Sequence, residues 1–191
     1  MAALTVQRGD GQFSTKNVLF LFDDIIGADP GQIPAGSTIL SATFTVTTTS
    51  AADADSGALD LHRMQMAWDP ADGNLAYWMA PWNAQPWIQA DDSEAAATAT
   101  ATVTPAALGT AYAMDVTADV QAWIDGTPNY GWVLLADPGT PADDFAFLHS
   151  AEALSLGVRP LLTVELVPEP GLASLALSAL AAALARRRGR S

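Results

Sequence analysis

The 191-residue chain contains no cysteine. That excludes disulfides, thiolate-ligated zinc, iron–sulfur clusters and thiol catalysis. It does not fix the compartment, because exported bacterial domains also do without cysteine. Basic residues are scarce, at eight Lys and Arg against 21 Asp and Glu. Four of those eight are Arg186, Arg187, Arg188 and Arg190. Residues 1–166 keep only Arg8, Lys16, Arg63 and Arg159 against 20 acids, a net charge of −16. A body this acidic argues against nucleic acid as a partner, since its binders need basic patches. It also argues against docking on an anionic membrane surface. The two histidines, His62 and His149, show no metal-ligand spacing, and no serine sits in a nucleophile-elbow motif.

Helical periodicity is nearly missing. It occurs at 115–125 (DVTADVQAWID), where Val116, Val120, Trp123 and Ile124 recur at helical spacing. Asp115 or Thr117 is the expected cap and Gly126 the expected stop. The remainder reads as short strands: 4–7, 18–22, 38–49, 58–66, 96–103, 130–135, 145–149 and 161–166. The stretch 38–49 sets Ile39, Ala42, Phe44 and Val46 against threonines and serines, and its β-branched content favours a strand. Asp-Pro-Gly, Ile-Pro-Ala-Gly and Asp-Gly-Thr-Pro-Asn supply turn chemistry between runs. Regular short strands with such turns predict an all-β sandwich or barrel carrying one short helix.

An ordered series of strings carries a resemblance. It starts with Val18-Leu19-Phe20-Leu21-Phe22-Asp23, then Ile33-Pro34-Ala35-Gly36-Ser37-Thr38, then Trp68-Asp69 and Trp82-Asn83. It continues with Asp115-Val116-Thr117, Asn129-Tyr130-Gly131-Trp132 and Arg159-Pro160-Leu161-Leu162-Thr163-Val164. Residues 13–166 thus resemble the DNRLRE family of extracellular domains. The resemblance implies a jelly-roll β-sandwich akin to carbohydrate-binding modules, spanning 1–166. The eponymous string itself is absent, and the family's Ser-Arg-Glu is represented only by His149-Ser150-Ala151-Glu152.

The C-terminus carries a second resemblance. Val167-Pro168-Glu169-Pro170 precedes an uncharged apolar run at 172–185, and the four arginines follow. Motif, short apolar segment and basic end, in that order, resemble the PEP-CTERM sorting signal. The resemblance implies export through the inner membrane, transient anchoring by 167–191, then cleavage by an exosortase-type enzyme. The mature protein would reside at the cell surface or in the extracellular matrix. As a helix, residues 171–185 reach roughly 22 Å at 1.5 Å per residue. A full span needs about 20 apolar residues. The segment is therefore a marginal C-terminal hydrophobic helix, and its arginines would stay cytoplasmic as the membrane stop. Residues 1–10 show no apolar h-region. Export therefore carries the expectation of a signal peptide encoded upstream of Met1, and the abrupt entry into a strand at Leu4 that of about one further strand before it.

Four of the six tryptophans, Trp68, Trp78, Trp82 and Trp87, fall within 20 residues. Flat aromatic faces stack on sugar rings, so this loop is the candidate glycan platform, with exopolysaccharide as the partner. Trp68 and Trp82 recur at structural positions in the family pattern, so covering a core is the expected role for those two. Trp78 and Trp87 stand between the two roles. The pairs Asp23-Asp24 and Asp143-Asp144 and the string Asp91-Asp92-Ser93-Glu94 are loop carboxylates without EF-hand spacing. Solvated loops are the simpler account, and a structural calcium assembled from two loops is the sharper one. The functional expectation is a non-catalytic glycan-binding protein. The alternative is a polysaccharide lyase or hydrolase using groove carboxylates.

Overall fold

Period-two burial builds the central strand. Along Ile39–Thr47 the side chains of Ala42, Phe44 and Val46 are buried, while Thr43 and Thr45 are half-buried. The step from Ile39 to Ala42 is three residues, which simple alternation does not allow. A register shift between Ile39 and Ser41 accommodates it, as a bulge does.

The computed structural model describes residues 3–7, 16–49, 57–68, 88–137 and 145–168. Among these, the elements in chain order are β1 Ala3–Gln7, β2 Val18–Phe20, β3 Ile39–Thr47, β4 Leu59–Arg63 and β5 Ala101–Val103. Then come β6 Ala111–Asp115, α1 Thr117–Ile124, β7 Trp132–Ala136, β8 Phe145–His149 and β9 Leu161–Leu166. The described residues are mostly β-sheet with one α-helix, the all-β class that the strand and turn pattern predicts. The C-terminal hydrophobic stretch lies outside the described residues.

All strand pairs are antiparallel, and four of them nest: β1 with β8, β2 with β7, β3 with β6, β4 with β5. One sheet has the order β2-β7-β4-β5, and β3 is central in β6-β3-β9. Strands β8 and β9 follow the same edge of β3. Thr48 bridges Leu148, Thr49 N–H donates to the Phe147 carbonyl, and Leu161 then pairs with Thr45. They act as one strand interrupted by an excursion at 150–160.

Aromatic rings join the two sheets. Phe44 of β3 stacks on Trp132 of β7 at 5.5 Å and 12°. Phe20 meets Phe44 edge-on at 4.8 Å, and Trp123 of α1 lies 4.6 Å from Trp132. Such pairs contribute about 0.5–1.5 kcal/mol each beyond area burial.

The helix closes the same core. Val120, Trp123 and Ile124 are buried, and Gly126 ends the helix at φ +105°. The expected cap differs in detail. Val116 occupies the N-cap position, and Asp115 Oδ1 accepts from Thr117 N (2.9 Å) and Thr117 Oγ1 (2.6 Å). Those bonds, the hydroxyl first, hold the Asp115 carboxyl below its ordinary pKa. Helix side chains also serve the part of β3 that β6 does not reach. Thr117 Oγ1 accepts from Ala42 N at 2.9 Å, and Gln121 Oε1 accepts from Ile39 N at 2.8 Å.

Three sequence expectations shift. Strand β6 was not anticipated, because AYAMD carries little β-branched character. The run at 96–103 pairs as a strand only from Ala101. The run at 58–66 leaves its ladder after Arg63.

Gly131 sits at φ +73°, and a Cβ there would lie 2.0 Å from the Phe20 carbonyl oxygen. Gly131→Ala is expected to cost more than about 2 kcal/mol, from left-handed strain plus backbone displacement. Urea unfolding of the variant beside wild type measures this.

Candidate functional site

The sheet β2-β7-β4-β5 is covered on both faces. Phe20, Trp132, Leu134, Leu59 and Leu61 face the aromatic core. Leu19, Val133 and Leu135 belong to a second cluster with Met64, Ala95, Trp68, Ile88 and Tyr130. Burial on both faces explains why 18–22 and 130–135 are continuous apolar runs rather than alternating ones.

The cover comes from the β4–β5 connection. Residues 69–87, with Trp78, Trp82 and Trp87, lie outside the described residues. Their two flanks are described, and Trp68 and Ile88 both return to the outer cluster. Trp68 is fixed there by its Nε1, which donates to the Tyr130 carbonyl at 2.7 Å. The Asn129-Tyr130-Gly131-Trp132 string serves as a clamp. Asn129 Nδ2 donates to the Phe22 carbonyl at 2.8 Å, and its Oδ1 accepts from Gly131 N at 3.0 Å. Trp68 therefore packs against the sheet and positions the connection.

The acidic string at 91–94 forms the turn beside this cover. Asp91 Oδ1 accepts from Ser93 Oγ (2.6 Å) and Ser93 N (3.0 Å), which keeps its pKa below the ordinary carboxylate value. Asp92 adopts φ +69°, and its Oδ1 accepts from Ala97 N at 2.8 Å. Glu94 is only 2% exposed, and its Oε2 accepts from Gln89 N at 3.0 Å. These carboxylates hold backbone in place. Among the described residues no group of three or more His, Asp or Glu comes together in a way that could hold a metal ion. Asp23 and Asp24 are exposed in the β2–β3 loop, and Asp143-Asp144 lies outside the described residues.

His62 is buried, and its Nδ1 donates to the Ala96 carbonyl at 2.7 Å, a packing role. The carboxylate that sequence reasoning missed is Asp119. Its Oδ2 accepts from Thr100 Oγ1 (2.6 Å) and Trp132 Nε1 (2.8 Å), and its Oδ1 lies 3.6 Å from the Arg63 guanidinium. The available signal was a polar residue one helical turn from both Val116 and Trp123.

A second feature not foreseen is a groove of about 350 Å³, mostly apolar but with Gly31 and Gln32 in its lining. Phe22, Ile25 and Ile33 line one side, with Leu162, Val164 and Leu166 of β9 along the other. Beyond it the Val167-Pro168-Glu169-Pro170 string begins. Val167 N donates to the Thr38 carbonyl at 2.9 Å, the last ladder-like bond described. Val167 and Pro168 follow β9 directly, while Glu169, Pro170 and Arg186, Arg187, Arg188 and Arg190 lie outside the described residues. Among the described residues no helix is long and apolar enough to cross a membrane.

No family model, no curated protein and no solved structure matches this chain.

Trp68→Ala is expected to destabilise the domain by about 2 kcal/mol or more, through lost packing and an orphaned Tyr130 carbonyl. Thermal unfolding of the variant beside wild type measures this.

Proposed function

We propose that this chain is an exported, non-catalytic cell-surface or extracellular-matrix protein. In this reading its β-rich domain is a glycan-binding jelly roll, and residues 167–191 form a PEP-CTERM-type sorting signal. The observation that carries the reading is positional. Pro168-Glu169-Pro170 follows immediately on the last bond of the β9 ladder, and the apolar run and arginine cluster come next in the order sorting requires. Prolines resist helix and sheet pairing, so a membrane protease of exosortase type would meet accessible backbone.

The jelly-roll assignment is supported by nested antiparallel pairing of the first strand with the eighth, second with seventh, third with sixth and fourth with fifth. The glycan assignment is supported by a tryptophan-rich connection whose flanks are rooted on an outer sheet face. Trp78 and Trp87 are its proposed stacking residues, with Trp82 and Trp68 in support. The domain works without a catalytic cofactor in this reading, and calcium would serve only to order a loop.

Two experiments test it. In a host with an exosortase, Glu169→Ala with Pro170→Ala should leave membrane insertion intact and block trimming, so that full-length protein accumulates. Trimming to the normal mature mass would refute the sorting assignment. On a panel of acidic and neutral polysaccharides, the protein should be retained without loss of polymer viscosity. Trp78→Ala and Trp87→Ala should each weaken retention by about 1–3 kcal/mol, by analogy with base–aromatic stacking. Falling viscosity would instead favour the lyase or hydrolase.

A further inference from the structure

The excursion at 150–160 is ordered and apolar at its tip. Its base is pinned by Ser150, whose Oγ accepts from Glu152 N at 3.2 Å and whose carbonyl accepts from Ala153 N at 3.1 Å. Arg159 Nε donates to the Ala153 carbonyl at 2.7 Å, and Ala153 is 2% exposed. A single 3-10 turn, Leu156–Val158, completes it. On this fixed frame Leu154 is 89% exposed and Leu156 74%. Two leucines held in water on this loop forgo the stabilisation that burial against an apolar partner would give.

A receptor for them exists on the same molecule. The groove between Phe22, Ile25 and Ile33 and the β9 side chains Leu162, Val164 and Leu166 is mostly apolar, with Gln32 as its polar side chain, and at about 350 Å³ is roomy enough for two leucine side chains. It runs along β9 to Leu166, while the leucine loop leaves from the opposite end of that strand. The near end of the groove, Leu162, is one residue past the loop's exit at Leu161, and its far end, Leu166, lies about 17 Å from that exit at strand spacing. Charge agrees with the match. Arg159, one of four basic residues in 1–166, belongs to the leucine loop and forms no ion pair among the described residues. The groove's own loop exposes Asp23, Asp24 and Asp29. An apolar knob and its matching pocket at different places on one surface make a heterologous contact, which propagates rather than closes.

We infer that the protein associates head to tail, the Leu154–Leu156 loop of one copy seated in the Phe22–Val164 groove of the next with Arg159 facing the acidic rim. This association is independent of both sorting and glycan binding.

The absence of cysteine makes the test direct. Full-length Leu156→Cys carrying one size of tag is mixed with full-length Val164→Cys carrying another, in mild detergent. Oxidation is carried out at about 0.15 M salt, where the Debye length of about 8 Å screens the net negative charge of the two bodies. Head-to-tail contact predicts a mixed disulfide dimer exceeding either homodimer by about fivefold or more. Adding Leu154→Ser to the first partner should abolish that excess. Leu166→Cys replaces Val164→Cys should the latter fail to fold. Homodimers at their statistical share would overturn the inference. So would an absence of cross-linked dimer, which is the outcome if residues 169–191 or a lipid fill the groove instead.

Discussion

A single buried carboxylate ties together the parts of this domain that the backbone ladder leaves separate. Asp119 lies in the first turn of α1, where the helix dipole favours negative charge. From there it receives the indole N–H of Trp132 in β7 and the hydroxyl of Thr100 ahead of β5, and it faces Arg63 at the end of β4. Taking a charge out of water costs several kcal/mol unless partners replace the solvent. Here two hydrogen bonds and one cation do so. The indole thus acts in two ways: its ring stacks on Phe44 of the other sheet while its N–H binds the helix. Core packing and polar satisfaction converge on Trp132.

The same economy governs the irregular places. Strand β6 ends at Asp115 opposite Thr43, and Thr117 and Gln121 of the helix that follows accept from the Ala42 and Ile39 amides beyond it. The passage into β7 needs a residue without a side chain beside the Phe20 carbonyl, and Gly131 supplies it. Asn129 binds both chains at that crossing. Interrupting one strand edge with 150–160 costs little pairing, because β8 and β9 continue along the same edge of β3. What the interruption adds is a rigid loop whose leucines face water.

Much of this was legible in the residues, for local reasons. The alternation and β-branching of β3 marked a strand, whereas the bulge at its start shows only in the pairing with β9. Helix α1 showed through its apolar spacing and the glycine stop. Runs such as Trp132-Val133-Leu134-Leu135 recorded a sheet buried on both faces. What stayed hidden depends on pairing between distant segments. Strand β6 is alanine-rich and takes its conformation from β3. Asp119 reads as one more solvated acid until Trp132 and Thr100 are brought to it. The groove exists only because the β2–β3 loop folds over β9, and the single edge shared by β8 and β9 cannot be seen from either alone. Of the candidate glycan residues, only Trp68 falls among the described residues, and its bond to Tyr130 was not encoded in any local pattern.

The central claim is that the Asp119 carboxylate and the Trp132 indole act as one unit joining helix to sheet. A double-mutant cycle with Asp119→Ala and Trp132→Phe, followed by urea unfolding at neutral pH, measures their coupling with the packing loss cancelled. The account predicts a coupling of about 1.5–3 kcal/mol, the range of a hydrogen bond to a charged group. Additive effects, with a coupling below about 0.5 kcal/mol, would contradict it.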